Sequence, residues 1–442
     1  MKLSHSSLPP PLLIISLISF SLLASSRATS STLQLQVLHI PKSSPHESVI
    51  TWEDRMLQTL SADHDRLQFL SNLAAKKSSV PIASGRQVTQ NPTYVVKVNV
   101  GTPAQSLLMA IDTSNDAAWL PCNGCVGCSS SPQFDSTKST TYKSLGCQDT
   151  RCNQVRNSNC EAGTCGFNFT YGSSSIASNL SSDTITLAND PIPEYAFGCI
   201  RSNVGNSLPS QGLLGLGRGP LSLLTQTQSL YQFTFSYCLP NFKSPNFTGS
   251  LRLGPTSQPR LVKFTPLLTN PRRSSLYYVN LVGIKVSRKI VDIPTEALAF
   301  SASTGSGTII DSGTVFTRLV EPAYNAVRDE FRKRVGSALN VTSLGGFDTC
   351  YTDSTVAPAI TLMFAGMNLT LPVENILIHS TVGSTTCLAM AVAPANVNSV
   401  LNVIANMQQQ NHMIMFDVPN SRLGVAVARE RCSREMLLNC HI

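Results

Sequence analysis

Charge is scarce in this chain of 442 residues. Asp, Glu, Lys and Arg make up 13% of it and aromatic residues 7%, with only two tryptophans and seven histidines. Ser, Thr, Gly and Pro are plentiful instead, a mix that suits an all-β protein with many turns better than a helical bundle. The net charge of +8 is thinly spread. Arg272-Arg273 and Lys76-Lys77 are doublets in polar stretches, read as solvated or as processing sites. No basic run carries interleaved aromatics, so no nucleic-acid partner is expected. Beyond the N-terminal segment no run is apolar enough to cross a bilayer, so no membrane partner is expected either. The glycine-rich stretch Gly212–Gly219 has no Gly-Lys-Ser/Thr and no evident acidic ribose ligand, which argues against a nucleotide loop. No His pairs convincingly with a Ser or Cys nucleophile, and neither a metal nor a cofactor is expected.

What is there begins with an address. Lys2, the apolar Leu12–Leu23 and Ser26-Arg27-Ala28 read as a secretory signal peptide over residues 1–28. No ER-retention signal or GPI tail ends the sequence, so a secreted protein is expected. Over 29–79, Trp52, Met56, Leu60, Leu67, Leu70 and Leu73 recur at helical spacing with Glu53, Asp54, Asp63, Asp65 and Arg66 between them. A detachable helical propeptide fits this, and an ordinary N-terminal helix is the alternative. The rest divides into expected lobes at 80–265 and 266–442. Thirteen cysteines, concentrated between Cys122 and Cys238, suit an oxidising compartment. Cys122-x-x-Cys125-x-x-Cys128 has the form of a zinc half-site, but no His is nearby and disulfides are the expected reading. The odd count leaves one thiol over, assigned to Cys440. Asn168, Asn179, Asn246, Asn340 and Asn368 begin N-glycosylation triplets.

From Tyr94 the period becomes two. Tyr94–Val100 alternates as a strand, Gly101-Thr102-Pro103 turns it, and the apolar Leu107–Ile111 stops at Asp112-Thr113-Ser114. The unit recurs 199 residues later as Thr308-Ile309-Ile310 and then Asp311-Ser312-Gly313-Thr314. About a hundred residues after each aspartate comes a matching segment, Gly212–Gly217 in the first half and Val403–Asn406 in the second. One helix interrupts the β pattern, with Pro322 in its first turn and Ala323, Val327, Phe331 and Val335 at intervals of four. Two β lobes, each delivering one aspartate, put a cleft between them. Two close carboxylates share a proton. The charged one can deprotonate a water, and the protonated one can hydrogen-bond a carbonyl oxygen that gains charge. Thr113 and Ser312 are expected to tie the loops together, and Asn115 and Thr314 to donate to the outer carboxylate oxygens. Small residues at Ser114 and Gly313 leave room for substrate backbone.

These motifs resemble the pepsin-type aspartic proteases, and more closely the plant group with the nepenthesin-like and nucellin-like enzymes. The resemblance runs from about Tyr94 to Ala428. It rests on Gly101-Thr102-Pro103, Asp112–Asp116 with Trp119, Cys122-x-x-Cys125, Tyr171-Gly172, Phe197-Gly198-Cys199, Gly212–Gly217, Asp311–Thr314 and Gln408–Asn411 with Phe416-Asp417. It implies an all-β, bilobal pepsin-like fold with two barrel-like lobes around an active-site cleft. It also implies a monomer acting on polypeptide substrates at acidic pH after propeptide removal, with Asp112 and Asp311 catalytic. Tyr171 and Gly172 fall on the flap, and the Tyr171 hydroxyl is expected on the indole N–H of Trp119, whereas ordinary aromatic packing is the bland reading. The implied disulfides are Cys122–Cys125, Cys128–Cys199, Cys147–Cys165, Cys152–Cys160, Cys238–Cys432 and Cys350–Cys387, with Cys147–Cys165 spanning a cysteine-rich insertion. A saposin-like insert is absent.

Three positions depart from the common form of that family: Ser114 and Ala405 stand where glycine is usual, and Asn115 where serine is. Ser114 can crowd a substrate or add a hydrogen bond. Ala405 brings a methyl group to a tight approach, strained if its φ is positive. Some relatives on this scaffold inhibit microbial cell-wall-degrading glycosidases and usually lack a catalytic residue, so a weakly catalytic binding protein is the alternative function.

Overall fold

The structure, a computed structural model, describes residues 78–426 apart from 90–92, 245, 260, 337–338, 353–355, 380–384 and 395–399. The signal peptide, the Trp52–Leu73 helical pattern, Lys76-Lys77, Cys432 and Cys440 lie outside the described residues. Most described elements are strands. One sheet of 20 strands is flanked by two sheets of four.

Strand Tyr94–Val100 buries Tyr94, Val96, Val98 and Val100 and exposes Lys97, as the alternation requires. It turns through Gly101, whose φ of +86° and whose distance of only 2.8 Å between a hypothetical Cβ and Ser139 Oγ both call for glycine. It then pairs antiparallel with Gln105–Asp112, Val98 opposite Leu107. The trailing segments explain the apparent duplication. Leu213–Gly215 lies parallel to the first aspartate strand with Leu214 beside Ile111 and Gly215 beside Asp112. Leu401–Ile404 lies parallel to Gly307–Ile310 with Ile404 beside Ile310. Each aspartate therefore leaves the buried end of a strand that is braced by a parallel neighbour.

The two halves share strands as well as a cleft. Thr234–Cys238 pairs with Gly249–Leu253 on one side and with Met413–Asp417 on the other. Phe235 stacks on Phe416 at 4.4 Å and Tyr277 meets Phe416 edge-on at 4.6 Å, so aromatic packing crosses the same seam. The expected lobe boundary at 265/266 falls inside strand Val262–Leu268, which pairs with Arg422–Ala426. Likewise strand Ser78–Ser84 begins two residues inside the expected propeptide, and Ser78 and Ser79 already pair with Leu253 and Arg252. The helix spans Glu321–Val335 and buries Ala323, Val327 and Phe331.

Four of the implied disulfides are corrected. Cys122 bonds Cys199 and Cys125 bonds Cys128. The reason is the parallel pairing of Ala118–Val126 with Asp190–Val204, which sets Leu120 beside Cys199 and brings the Cα atoms of Cys122 and Cys199 to 5.5 Å. In the insertion Cys147 bonds Cys160 and Cys152 bonds Cys165. Cys160 and Cys165 face each other across a hairpin, and each reaches to a different partner in the preceding loop. Cys350 and Cys387 are bonded, directly opposite on adjacent strands. Cys238 is disulfide-bonded. With Cys122, Cys125 and Cys128 all in disulfides, the zinc alternative falls. Non-reducing digestion and mass spectrometry should recover peptides linked Cys122–Cys199 and Cys152–Cys165. Recovery of Cys128–Cys199 or Cys147–Cys165 would reverse the correction.

Candidate active site

Asp112 and Asp311 meet where the two braced strands end, and they are 2% and 5% exposed. The loops behind them are tied crosswise. Thr113 N–H donates to Ser312 Oγ at 3.1 Å, and Ser312 N–H donates to Thr113 Oγ1 at 3.0 Å. Ser312 Oγ donates in turn to the Ile111 carbonyl, and Thr113 Oγ1 makes a long 3.4 Å contact with Asp311 Oδ1.

The carboxylates are not treated alike. Asp112 Oδ1 accepts from Ser114 N–H and from Ser114 Oγ, both at 2.7 Å. Its Oδ2 accepts from Asn115 Nδ2 at 2.8 Å and from the Tyr171 hydroxyl at 3.2 Å. Asp311 accepts from Gly313 N–H at 3.1 Å and from Thr314 Oγ1 at 2.5 Å. Burial, and then the charge of Asp112, push the Asp311 carboxyl up to about 7. Fewer donors reach Asp311, and burial with the charge of its partner raises it, so the proton that the pair shares is held on the Asp311 side.

Both unusual residues of the first loop are thus donors to Asp112, and Ser114 takes the hydrogen-bonding course of its two expected alternatives. The equivalent position on the second loop has no such freedom, since a Cβ on Gly313 would lie 2.4 Å from Asp112 Oδ2. Ala405 is unstrained: its φ is −89° and its N–H donates to Thr317 Oγ1 at 3.1 Å. In the first half the matching glycine is obligatory, because a Cβ on Gly215 would lie 2.4 Å from the Ala117 carbonyl oxygen.

Tyr171 ends strand Thr164–Tyr171, and Gly172 turns the hairpin with φ +56°. A Cβ at Gly172 would strike Ser207 Oγ at 2.5 Å. Ser207 also accepts the Ser173 N–H at 2.9 Å, which pins the hairpin tip. The expected Tyr171–Trp119 hydrogen bond is not formed. The rings meet edge-on at 5.1 Å, the Tyr171 hydroxyl turns to donate to Asp112, and the buried Trp119 Nε1 has no partner among the described residues. The hydroxyl donates to the carboxylate, a charge-assisted bond that the donor-only indole N–H cannot offer it.

Profiles described as xylanase inhibitor N-terminal and xylanase inhibitor C-terminal match residues 94–255 and 276–426. Aspartyl protease AED3 of Arabidopsis thaliana is 50% identical over 385 residues, covering 84% of this chain and 85% of that protein. Aspartyl protease 25 of Oryza sativa subsp. japonica is 47% identical over 421 residues, covering 90% and 93%. The chain is a plant pepsin-like aspartic protease. Solved structures at lower identity share the fold. Basic 7S globulin from soybean superposes with TM-score 0.65 at 20% identity over 81% of this chain and 99% of that one. The aspartic proteinase from Irpex lacteus gives 0.59 at 17% over 80% and 98%.

Some supports of the site had not been singled out as site residues. Gln409 Nε2 donates to the carbonyls of Asp311 and Ile404, and the buried Tyr237 hydroxyl donates to Gln409 Oε1. Gln408 Oε1 accepts from Thr317 N–H at 3.1 Å. Across the seam, Tyr277 donates to the Leu216 carbonyl at 2.8 Å, and Arg218 donates to the Leu276 carbonyl while lying 5.2 Å from the Tyr277 ring centroid. The uncharged, amide-rich run Gln408–Asn411 was the only available signal.

Two outcomes follow from the asymmetry of the pair. The folded protease favours the protonated Asp311, whose pKa when unfolded is about 3.9. Its contribution to stability is therefore full below about pH 4 and is lost as pH rises through about 7. Asp311→Asn should be more resistant to urea than the parent at pH 7, with the gain shrinking toward pH 4. A gain that instead grows toward pH 4 would contradict this sign. Ser114→Gly keeps the backbone donor to Asp112 but loses the Oγ donor, so kcat/KM should fall about ten-fold. An unchanged kcat/KM would make the hydroxyl a bystander.

Proposed function

We propose that this protease is a secreted endopeptidase that hydrolyses peptide bonds with water activated between Asp112 and Asp311. The observation that carries the reading is the unequal hydrogen bonding of the two carboxylates, one arranged to stay charged and the other to hold a proton. An extended substrate lies between the flap at Tyr171-Gly172 and the loops at Ser114, Gly313 and Thr314, bound through strand-like backbone hydrogen bonds. Asp112 removes a proton from a water as the water attacks the scissile carbonyl. Asp311 donates its proton toward the carbonyl oxygen, which becomes the hydroxyl of a tetrahedral intermediate. Collapse of that intermediate breaks the C–N bond and returns a proton to the leaving amine. The proton is a property of the pair, and activity depends on exactly one being shared. Rising pH removes it as the solution passes about 7, so the enzyme works in acid.

We further propose removal of residues 1–28 on export, and release of the propeptide at or before Lys77, which leaves the paired strand from Ser78 intact. A monomer in the apoplast or cell wall fits this route. Asn168, Asn246, Asn340 and Asn368 are exposed and are the proposed glycan sites. Asn179 is half-buried in a strand paired on both sides and is not.

The processed protein should cleave a denatured protein substrate at about pH 3–6, within the acidic range set by the pair. Pepstatin, whose hydroxyl imitates the tetrahedral intermediate, should abolish this activity. Asp112→Asn and Asp311→Asn should each reduce turnover to background. Pepstatin-insensitive cleavage, or activity surviving either change, would defeat the assignment. The matched profiles carry the description xylanase inhibitor, which keeps a second reading in view: a binding protein for a glycosidase on the same scaffold. Tight glycosidase binding by a processed protein devoid of peptidase activity would favour it.

A further inference from the structure

A cavity of about 290 Å³ opens beside the second aspartate loop, lined among others by Arg86, Phe242, Val315, Phe316, His379 and Met407. Its inner wall is part of the active-site framework. Val315 directly follows Thr314, Met407 N–H donates to the Val315 carbonyl at 3.0 Å, and Asn406 Nδ2 holds the Ser312 carbonyl at 2.9 Å. Its outer wall comes from the other half of the chain. Ser84 Oγ and Gln87 Nε2 both donate to the Phe242 carbonyl, and Gln410 Oε1 accepts the Phe242 N–H. The cavity is therefore preformed at the seam between the halves, a usual position for a ligand pocket.

Its chemistry is one-sided. Phe242, Val315, Phe316, Ile378 and Met407 make an apolar floor. The Arg86 guanidinium lies 5.5 Å from the Phe242 ring centroid and the Lys243 ammonium 5.7 Å from the same centroid. Arg86 and Lys243 are exposed, Arg86 makes no ion pair among the described residues, and no acidic side chain is among the described residues lining the cavity. His379 lines the rim too, its Nδ1 3.0 Å from Thr386 Oγ1. Val315 is four residues from Asp311, and an extended peptide advances about 3.3 Å per residue. An extended substrate lying across the two aspartates can therefore reach the Val315 wall within about four residues of the scissile bond.

We propose that this cavity is a substrate subsite selective for a carboxylate-bearing side chain, with Arg86 as the residue that sets the selection. The inference rests on the endopeptidase reading and names part of its substrate class. A glutamate places its methylene groups on Phe242 and Phe316 and its carboxylate at Arg86, with His379 in the same lining. Because the guanidinium is solvent-exposed, the preference is modest, about two- to five-fold. It also belongs to the charged substrate, so it fades as the substrate glutamate is protonated near pH 4.3.

The test is cleavage of a randomised peptide library by the acid-processed protein at pH 5.5 and pH 3.0, read by mass spectrometry. At pH 5.5 one position within four residues of the cut should favour Glu over Gln about three-fold, and at pH 3.0 the ratio should approach one. Arg86→Gln should flatten the ratio at pH 5.5, and Arg86→Glu should invert it toward Lys, with selection at the other positions unchanged. Pepstatin-sensitive cleavage with no Glu preference, or a preference that survives Arg86→Glu, overturns the subsite and leaves the endopeptidase reading standing. No pepstatin-sensitive cleavage by the parent protein at either pH overturns both.

Discussion

The reciprocal hydrogen bonds between Thr113 and Ser312 are the constraint on which the site depends. They join residues 199 apart, one from each half, and both partners are almost completely buried. Each bond contributes only about 0.5–1.5 kcal/mol net, but an unmade donor in this dry junction costs about 1–3 kcal/mol. The junction therefore has one satisfied arrangement, and that arrangement fixes where the two carboxyls face each other. The surrounding structure keeps it in place. Parallel strands brace each aspartate from behind, Gln409 holds the Asp311 carbonyl, and the Phe235–Tyr277–Phe416 stack closes the seam beneath.

A symmetric scaffold here carries an asymmetric pair. The first loop spends its small polar residues on Asp112: Ser114 donates twice and Asn115 once, and the flap tyrosine adds another bond. The second loop is restricted to glycine at position 313 by contact with Asp112 itself. Departures from the common family form are thereby explained as additions to the polar shell of one carboxylate. The same reasoning makes Ala405 unremarkable, since its backbone lies in an ordinary extended conformation and its counterpart Gly215 is the position under steric pressure.

Much of this was legible in the sequence because local rules coincided with tertiary ones. Alternation gave the strand Tyr94–Val100, spacing by four gave the helix Glu321–Val335, and two aspartates at the ends of apolar runs gave the pair. Cys350–Cys387 is formed as implied, but the other disulfides among the described residues were not legible. Cys122, Cys125 and Cys128 are evenly spaced, and only the parallel pairing with Asp190–Val204 decides that Cys199 reaches Cys122. The Tyr171 hydroxyl was also given the wrong partner, because whether it accepts from an indole or donates to a carboxylate depends on where the hairpin tip is pinned, at Ser207.

The sequence by itself determined the all-β class, the repeated aspartate unit and the residues able to donate to each carboxyl, since these depend on composition, period and neighbours two or three residues away. Tertiary structure decided which aspartate receives more donors, which cysteines meet, and that Arg86 and Phe242 from one half share a cavity with Val315 and His379 from the other. Several of those outcomes depend on contacts between distant segments, 59 residues apart for Tyr171 and Asp112 and 77 for Cys122 and Cys199. Such distances close only when strands pair, and the alternation that sets a strand's buried face does not say which strand becomes its neighbour.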